Sequence, residues 1–393
     1  MTQISTRIAS ITGSEDDGWG VHYRAQAMQR AGEDVTILSV GDHDFTTDAQ
    51  IVDACKSALD AGLHHYSPVT GSAALREAVA SRIVAKTGIA TAPDEAIICP
   101  GGQAGLYACA MLALNPGDEA IIVEPYYATY AQTILAAGGV PVCVATLPED
   151  GFQPSADAIA AAITPKTRMI LINSPQNPSG VVYTRATLEG IAAQCRAHDL
   201  WLVSDEVYES QVYVGTHLSP RALEGMAART LVIGSMSKSH AMTGWRVGWV
   251  IGPEAAIASL ADLFLTMTYG MASFIQNAAL VGLREGGQGE KDIAALYHRR
   301  RDRALAALAG SRTLKVHAPD AAMYLLIDVR AVCADGEVFA NALLDQEKIG
   351  VMPGESFGAS ASGHIRISLC TEDEKLAEAC ARISRFADAW SGA

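Results

Sequence analysis

Short apolar runs alternate with longer stretches of helical periodicity through most of the chain. "EAIICP" at 95–100 precedes "AGLYACAMLAL", and "DEAIIVEP" at 118–125 precedes "YYATYAQTILAAGG". "RMILINSP" at 168–175 follows the helix-like "SADAIAAAI". "LWLVSDE" at 200–206 follows "RATLEGIAAQCRAH", and "RTLVIGS" at 229–235 closes a further helical stretch. This alternation predicts an α/β fold with a mostly parallel sheet and helices on both faces. Such sheets take their ligands at the carboxyl ends of the strands. After about residue 285 the pattern changes. "LYHRRRDRALAALAG" reads as a long helix with a charged face. Strand-like "AMYLLIDV", helical "EVFANALLDQEK", strand-like "HIRISL" and a last helix "DEKLAEACARISRFADAW" follow. These predict a smaller α+β unit, with the N-terminal segment packed against it. The expected division is a large domain over 46–285 and a small domain over 1–45 and 286–393.

Composition narrows the partners. The chain has 393 residues, long enough for a large core. Charged residues make up 18%, the formal net charge is −14 and the pI is about 5.1. A basic face is the usual footprint of nucleic-acid or anionic-membrane binding, so neither is expected as the main partner. Anionic small substrates remain open, since a site can be locally positive. The eight cysteines include no CxxC pair, and many lie in apolar runs. Buried reduced thiols are expected rather than disulfides or metal ligands. The segment "MTQISTRIASITGSEDDG" lacks the apolar core of a signal peptide. No apolar run approaches the ~20 residues of a membrane helix. A cytoplasmic location is therefore expected.

The residues that follow each expected strand carry the chemistry. After "AIIC" comes Pro100-Gly101-Gly102-Gln103 and then a helix. Glycines that open a helix leave free N–H groups for a phosphate, though many such turns are only tight connections. After "MILIN" comes "SPQNPSG" (174–180), a rigid loop displaying Asn177. After "LWLVS" come Asp205 and Tyr208; alone, that carboxylate reads as a turn cap. After "TLVIG" comes "SMSKSHAMTGWR" (235–246), with Lys238 and Arg246. Each alone reads as a solvated charge. Together, four strand ends would bring a phosphate site, an amide, a carboxylate, a phenol, a lysine and an arginine into one crevice. A lysine that forms a Schiff base with an aldehyde cofactor needs such a set. So does a buried anion that pairs with a pyridinium nitrogen.

The stretch "SMSKSHAMTGWR" resembles the lysine signature of class I/II aminotransferases, which use pyridoxal 5′-phosphate (PLP) and have the fold type I architecture. "NPSG", "SDEVY", "LSVGDHDF", "HYSPVTGSAALREAVA", "PGDEAIIVEPYYATY" and "HIRISL" resemble further motifs of that family, in its order. The finer texture resembles arginine–pyruvate transaminases and related aspartate-aminotransferase-like enzymes. The resemblance implies a PLP-dependent transferase of fold type I: a mostly parallel seven-stranded sheet between helices, plus a smaller α+β domain. It implies that Lys238 holds PLP as an internal aldimine and moves the proton between substrate Cα and cofactor C4′. Asp205 would keep the pyridine nitrogen protonated. Asn177 and Tyr208 would bind the phenolic oxygen. Arg246, Ser235 and the N–H groups of Gly102, Gln103 and Ala104 would bind the phosphate. Tyr127 would stack on the ring. Arg366 would clamp the substrate carboxylate bidentately, helped by Asn177 and the backbone of Gly41. Tyr66 would reach the phosphate of a neighbouring subunit, making the active unit a homodimer.

Within "HIRISL", Ile365, Ile367 and Leu369 alternate with Arg366 and Ser368, so one face is core and the other carries the arginine. Three positions depart from the family. Gln103 replaces the hydroxyl or lysine residue of many relatives, His43 replaces a frequent proline, and Tyr127 replaces the tryptophan of some members. The expected reaction is ping-pong transfer of an amino group from an L-amino acid to a 2-oxo acid, pyruvate or 2-oxoglutarate. The alternative is a PLP-dependent carbon–sulfur β-lyase on the same fold. An aminotransferase-like domain of a transcription regulator would need an added DNA-binding domain, for which the chain leaves no room. A basic donor would need acidic residues opposite Arg366, and Glu15, Asp16 and Asp17 are available by composition. His64 and His65 lack a metal-ligand pattern. The basic run at 298–303 reads as a solvated face or interdomain contact. Trp19 and Tyr23 suit either the substrate entrance or core packing.

Overall fold

The computed structural model describes residues 2–11, 19–285 and 287–390. Thirteen strands run in chain order. They are β1 (Thr36–Ile37), β2 (Ala96–Cys99), β3 (Glu119–Val123), β4 (Val140–Val144), β5 (Thr167–Asn173), β6 (Trp201–Asp205) and β7 (Thr230–Ser235). Then come β8 (Gly248–Ile251), β9 (Lys315–Val316), β10 (Tyr324–Asp328), β11 (Ile349–Gly350), β12 (Met352–Pro353) and β13 (His364–Ser368).

Seven strands form the central sheet in the order β2-β8-β7-β6-β5-β3-β4. All pairings are parallel except the two made by β8. Alternate side chains explain why both faces are covered. Ile122, Leu171, Val203, Ile233 and Val250 face the helix Gly101–Ala113. Their neighbours Ile121, Ile170, Ile172 and Leu202 face the helix Arg185–Ala197 through Leu188, Ile191 and Cys195. Ser72, Ser155 and Thr184 accept from N–H groups three residues on and so start their helices. The register places Asn173 opposite Asp205 and Asp205 opposite Ile233. The strands β5, β6 and β7 therefore end nearly level and build one rim.

The second sheet runs β12-β13-β10-β9, all antiparallel. The N-terminal segment joins this side: β1 pairs in parallel with β11. The helix Trp19–Arg30 lies beside Gly336–Glu347, where Arg24 meets Asp345 at 2.6 Å. The basic run is an ion-pair seam. Arg299, Arg300 and Arg303 pair with Asp373 or Glu374 of the last helix, and Arg300 also grips Asp44 at 2.7 Å. No described helix is long and apolar enough to cross a membrane.

Two strands of the central sheet went unread in the sequence, as did the two-residue strands β1, β9, β11 and β12. β4 contains Pro141 and lies at the sheet edge, where proline is tolerated. β8 is four residues long and follows the lysine stretch without punctuation. The helix expected from Tyr126 starts only at Tyr130.

Candidate active site

The rim holds a cavity of about 160 Å³. Its lining includes Gly102, Tyr127, Asn177, Asp205, Lys238 and Arg246. Gln103, Tyr208 and Ser235 line it as well. Sequence distance is large, but each residue ends or follows a strand of the same sheet.

Lys238 sits on a four-residue helix, Met236–Ser239, directly after β7. Ser235 caps that helix by accepting from the Ser237 N–H at 3.1 Å. The helix ends at once, so the Lys238 carbonyl has no partner within it. Gln211 fills the gap, its Nε2 donating to the Lys238 oxygen at 2.9 Å. The Lys238 ammonium donates to the Gly41 carbonyl. Burial lowers its proton affinity, and the charges of Arg366 and Arg246 push the same way, while Cys370 and Asp42 oppose them.

Asp205 ends β6 at 4% exposure. Its Oδ2 accepts from the Tyr130 hydroxyl at 2.7 Å and its Oδ1 from the Val207 N–H at 3.3 Å. Burial pushes its carboxyl up to about 6, against those two donors, and Glu206 adds to the push. No lysine, arginine or histidine among the described residues pairs with it.

At the opposite end, the helix Gly101–Ala113 begins at Pro100 with no side-chain cap. Its first N–H groups are left for another acceptor. The Arg246 guanidinium lies against this turn. A Cβ on Gly101, whose φ is +77°, would stand 2.3 Å from Arg246 Nη2, so only glycine allows the approach. Arg246 Nη1 donates to the Thr243 carbonyl at 2.6 Å. Ser237 lines the same end.

Arg366 lies on β13, 4% exposed, between the rings of Tyr324 at 4.3 Å and Phe357 at 4.8 Å. Its Nη1 donates to Asn177 Oδ1 at 2.9 Å and its Nη2 to the Ser39 carbonyl. Its buried Nε has no partner. Tyr208 and Tyr324 share a hydroxyl contact at 3.1 Å.

Most expected residues thus converge. Arg366 and Gly41 lie outside the lining and join it through Asn177 and Lys238, and three further residues depart from the lining the resemblance implies. Ala104 lies on the phosphate-end helix but away from the lining. Gln103 lines the cavity, yet its amide is tied to Thr129 at 2.8 Å and Thr133 at 2.9 Å. Tyr66 is 85% exposed and meets the tilted ring of Tyr269 at 4.9 Å at the surface, away from this chain's own cavity. His43 meets the Tyr297 hydroxyl at 2.7 Å, and burial beside Lys238 lowers its ring to about 4. Trp19 is partly buried against Phe357 and Met352, and Tyr23 is exposed. Glu15, Asp16 and Asp17 lie outside the described residues. Sequence reasoning missed Tyr130, Ser237, Gln211, Tyr324 and Phe357. Only Ser237 carried a signal, its place inside the lysine stretch.

The donor set fits PLP. A buried carboxylate without a cation suits a pyridinium nitrogen. Uncapped N–H groups with an arginine suit a phosphate. A desolvated amine stands between them, and the Tyr127 ring borders the space. These features define a site for a pyridoxal phosphate enzyme of fold type I.

The chain belongs to the class I and II aminotransferases, a PLP-dependent enzyme family whose model matches residues 33–383. It is 46% identical over 374 residues to an arginine–pyruvate transaminase of Pseudomonas aeruginosa, covering 95% of each chain. It is 37% identical to an aspartate/prephenate aminotransferase of Thermus thermophilus, over 98% of this chain and 99% of that one. The solved aspartate aminotransferase of Thermus thermophilus with maleate superposes with a TM-score of 0.92 at 35% identity, covering 98% of this chain and all of that one. The chemistry of these relatives is amino-group transfer, and the β-lyase alternative is not favoured.

Proposed function

We propose that the chain moves the amino group of an L-amino acid to a 2-oxo acid in a ping-pong cycle, with Lys238 as the base. The observation that carries this is the cavity lined by both half-buried Lys238 and buried, cation-free Asp205. When bound, PLP supplies an aldehyde carbon and an electron-accepting ring. Asp205 holds the proton of the ring nitrogen, and Tyr130 keeps that carboxylate in place. Asn177 and Tyr208 would hold the phenolic oxygen, and Tyr127 would pack on the ring. Arg246, Ser235 and the N–H groups opening the 101–113 helix hold the phosphate, with Ser237 beside them. Arg366 grips the substrate carboxylate through its free Nε and a terminal nitrogen. The Lys238 amine, kept from permanent protonation by burial, takes the Cα proton and returns it to the aldehyde carbon.

The finer assignments rest on likeness. Arginine with pyruvate is the pair we place first, from the relative that is 46% identical. We assign the active unit to a homodimer in which the exposed Tyr66 serves the neighbouring site. The cytoplasm is the proposed compartment. The division into 46–285 against 1–45 with 286–393 follows the two sheets. The test is Lys238→Ala assayed with a panel of donors against pyruvate and 2-oxoglutarate. Loss of covalent cofactor and of turnover is expected, whereas near-native rates would refute the role. With an amino acid alone, the native protein should stop after one half-cycle. Continued release of ammonia and pyruvate would point to the lyase.

A further inference from the structure

Gln211 stands where the large sheet's rim meets the smaller sheet, and each end of the residue is committed to one of them. It is 0% exposed. Its side-chain Nε2 donates to the Lys238 carbonyl at 2.9 Å. Its main-chain carbonyl accepts from the Ala322 N–H at 2.9 Å, and its own N–H donates to the Tyr208 carbonyl at 2.9 Å. The residues after it are docked on the approach to β10. Val212 bridges Ala321, and the Tyr213 N–H donates to the Asp320 carbonyl at 2.8 Å. Just past Ala322, on β10, comes Tyr324, whose ring covers the Arg366 guanidinium and whose hydroxyl meets Tyr208. Gln211 thus holds the amine-bearing turn by its side chain and the arginine-bearing sheet by its backbone.

Packing alone does not call for an amide at this place. Gln211 Oε1 is buried and has no partner. An orphaned buried acceptor costs stability, and a methionine would fill similar space without that cost. What an apolar side chain cannot do is donate to the Lys238 oxygen. That oxygen lies near the end of a four-residue helix, which Ser235 caps at its start. Without the Gln211 donor the far end of so short a helix is poorly held. A displacement of about 1 Å at a reacting group can cost ~10²-fold in rate, so the seat of this amine matters.

We propose that Gln211 is a positioning residue for proton transfer. It fixes the end of the Lys238 turn against the segment that leads to Tyr324, so the amine and the Arg366 grip keep one relative placement. Gln211 does not line the cavity, and it acts through the main chain of Lys238. The inference rests on the reading of Lys238 as the base.

The test follows a single half-cycle of the holoenzyme with an amino donor, and with the same donor deuterated at Cα. Gln211→Met keeps the volume and removes the hydrogen-bond donor. Its maximal half-cycle rate should fall about tenfold, with an isotope effect at least as large as the native one. Affinity for the amino donor should stay within about twofold. Hydrogen exchange of the holoenzyme over 236–240 should speed up, while β5 and β6 keep native protection. Gln211→Asn draws the amide back by one methylene and should fall between the native protein and Gln211→Met. Ile159→Val thins the core of the outer helix layer, so it should lower the melting temperature and leave the half-cycle rate native. A native rate or native exchange at 236–240 in Gln211→Met overturns the proposal. So does a slowing seen only as lost affinity for the amino donor, or an equal slowing in Ile159→Val. If Gln211→Met does not fold, Gln211→Asn decides: a slower half-cycle at unchanged affinity supports the role, and a native rate refutes it. A native protein that completes no half-cycle would sink the transfer reading itself. Native transfer with an unaltered Gln211→Met sinks this inference alone.

Discussion

Asp205 and Arg366 are both buried charges, one lining the cavity and the other tied to its lining through Asn177, and the protein treats them in opposite ways. Arg366 is furnished with company: two aromatic faces, an amide oxygen and a main-chain carbonyl. Asp205 receives one hydroxyl and one N–H. The guanidinium is therefore comfortable before any ligand arrives. The carboxylate is not. The contrast suits a transient substrate at one end and a resident cation at the other.

The largest effect that would break this contrast is Asp205→Asn. Removing one partner of a buried charge pair costs about 3–5 kcal/mol, so turnover should fall by at least ~10²-fold and cofactor should bind more weakly. The cofactor-free protein should respond the other way. The folded-state proton affinity of Asp205 is raised from 3.8 to about 6, so the folded form holds a proton that the unfolded form releases. Stability from this group is present below the lower value and lost as pH rises through the higher one, by up to ~3 kcal/mol. Thermal unfolding of the cofactor-free protein against pH should show that slope, and Asp205→Asn should lack it.

Next in size is Arg366→Lys, which removes the planar fork. It should lower kcat/KM for amino acids by about 10²-fold and leave cofactor affinity unchanged. A matching loss of cofactor affinity would mean that the two ends are not separate. The smallest expected effect is Phe357→Leu. Loss of one cation–π face is worth about 0.5–1 kcal/mol, or roughly threefold in kcat/KM, read by steady-state kinetics.

The large sheet was legible because buried parallel strands read as apolar runs, and each carries its chemistry just past its end. That is why Asn177, Asp205, Lys238 and Arg246 could be placed together. The supports were not legible. Tyr130 is one of several tyrosines in "YYATY", and only the true start of its helix aims its hydroxyl at Asp205. Tyr324 reaches Arg366 diagonally across β10 and β13, a pairing set by register. Gln211 caps the Lys238 carbonyl from a loop with no periodicity. Gln103 was expected at the phosphate through its main-chain N–H, and nothing in the sequence foretold that Thr129 and Thr133 would take up its side-chain amide.

The short stretch after β1 offers two main-chain oxygens to two different machines. The Ser39 carbonyl receives Arg366, and the Gly41 carbonyl receives Lys238. Neither oxygen belongs to a side chain, so a substitution there reaches either contact only by moving the backbone. The arginine that meets the substrate and the amine that moves the proton are thus anchored on main-chain oxygens two residues apart.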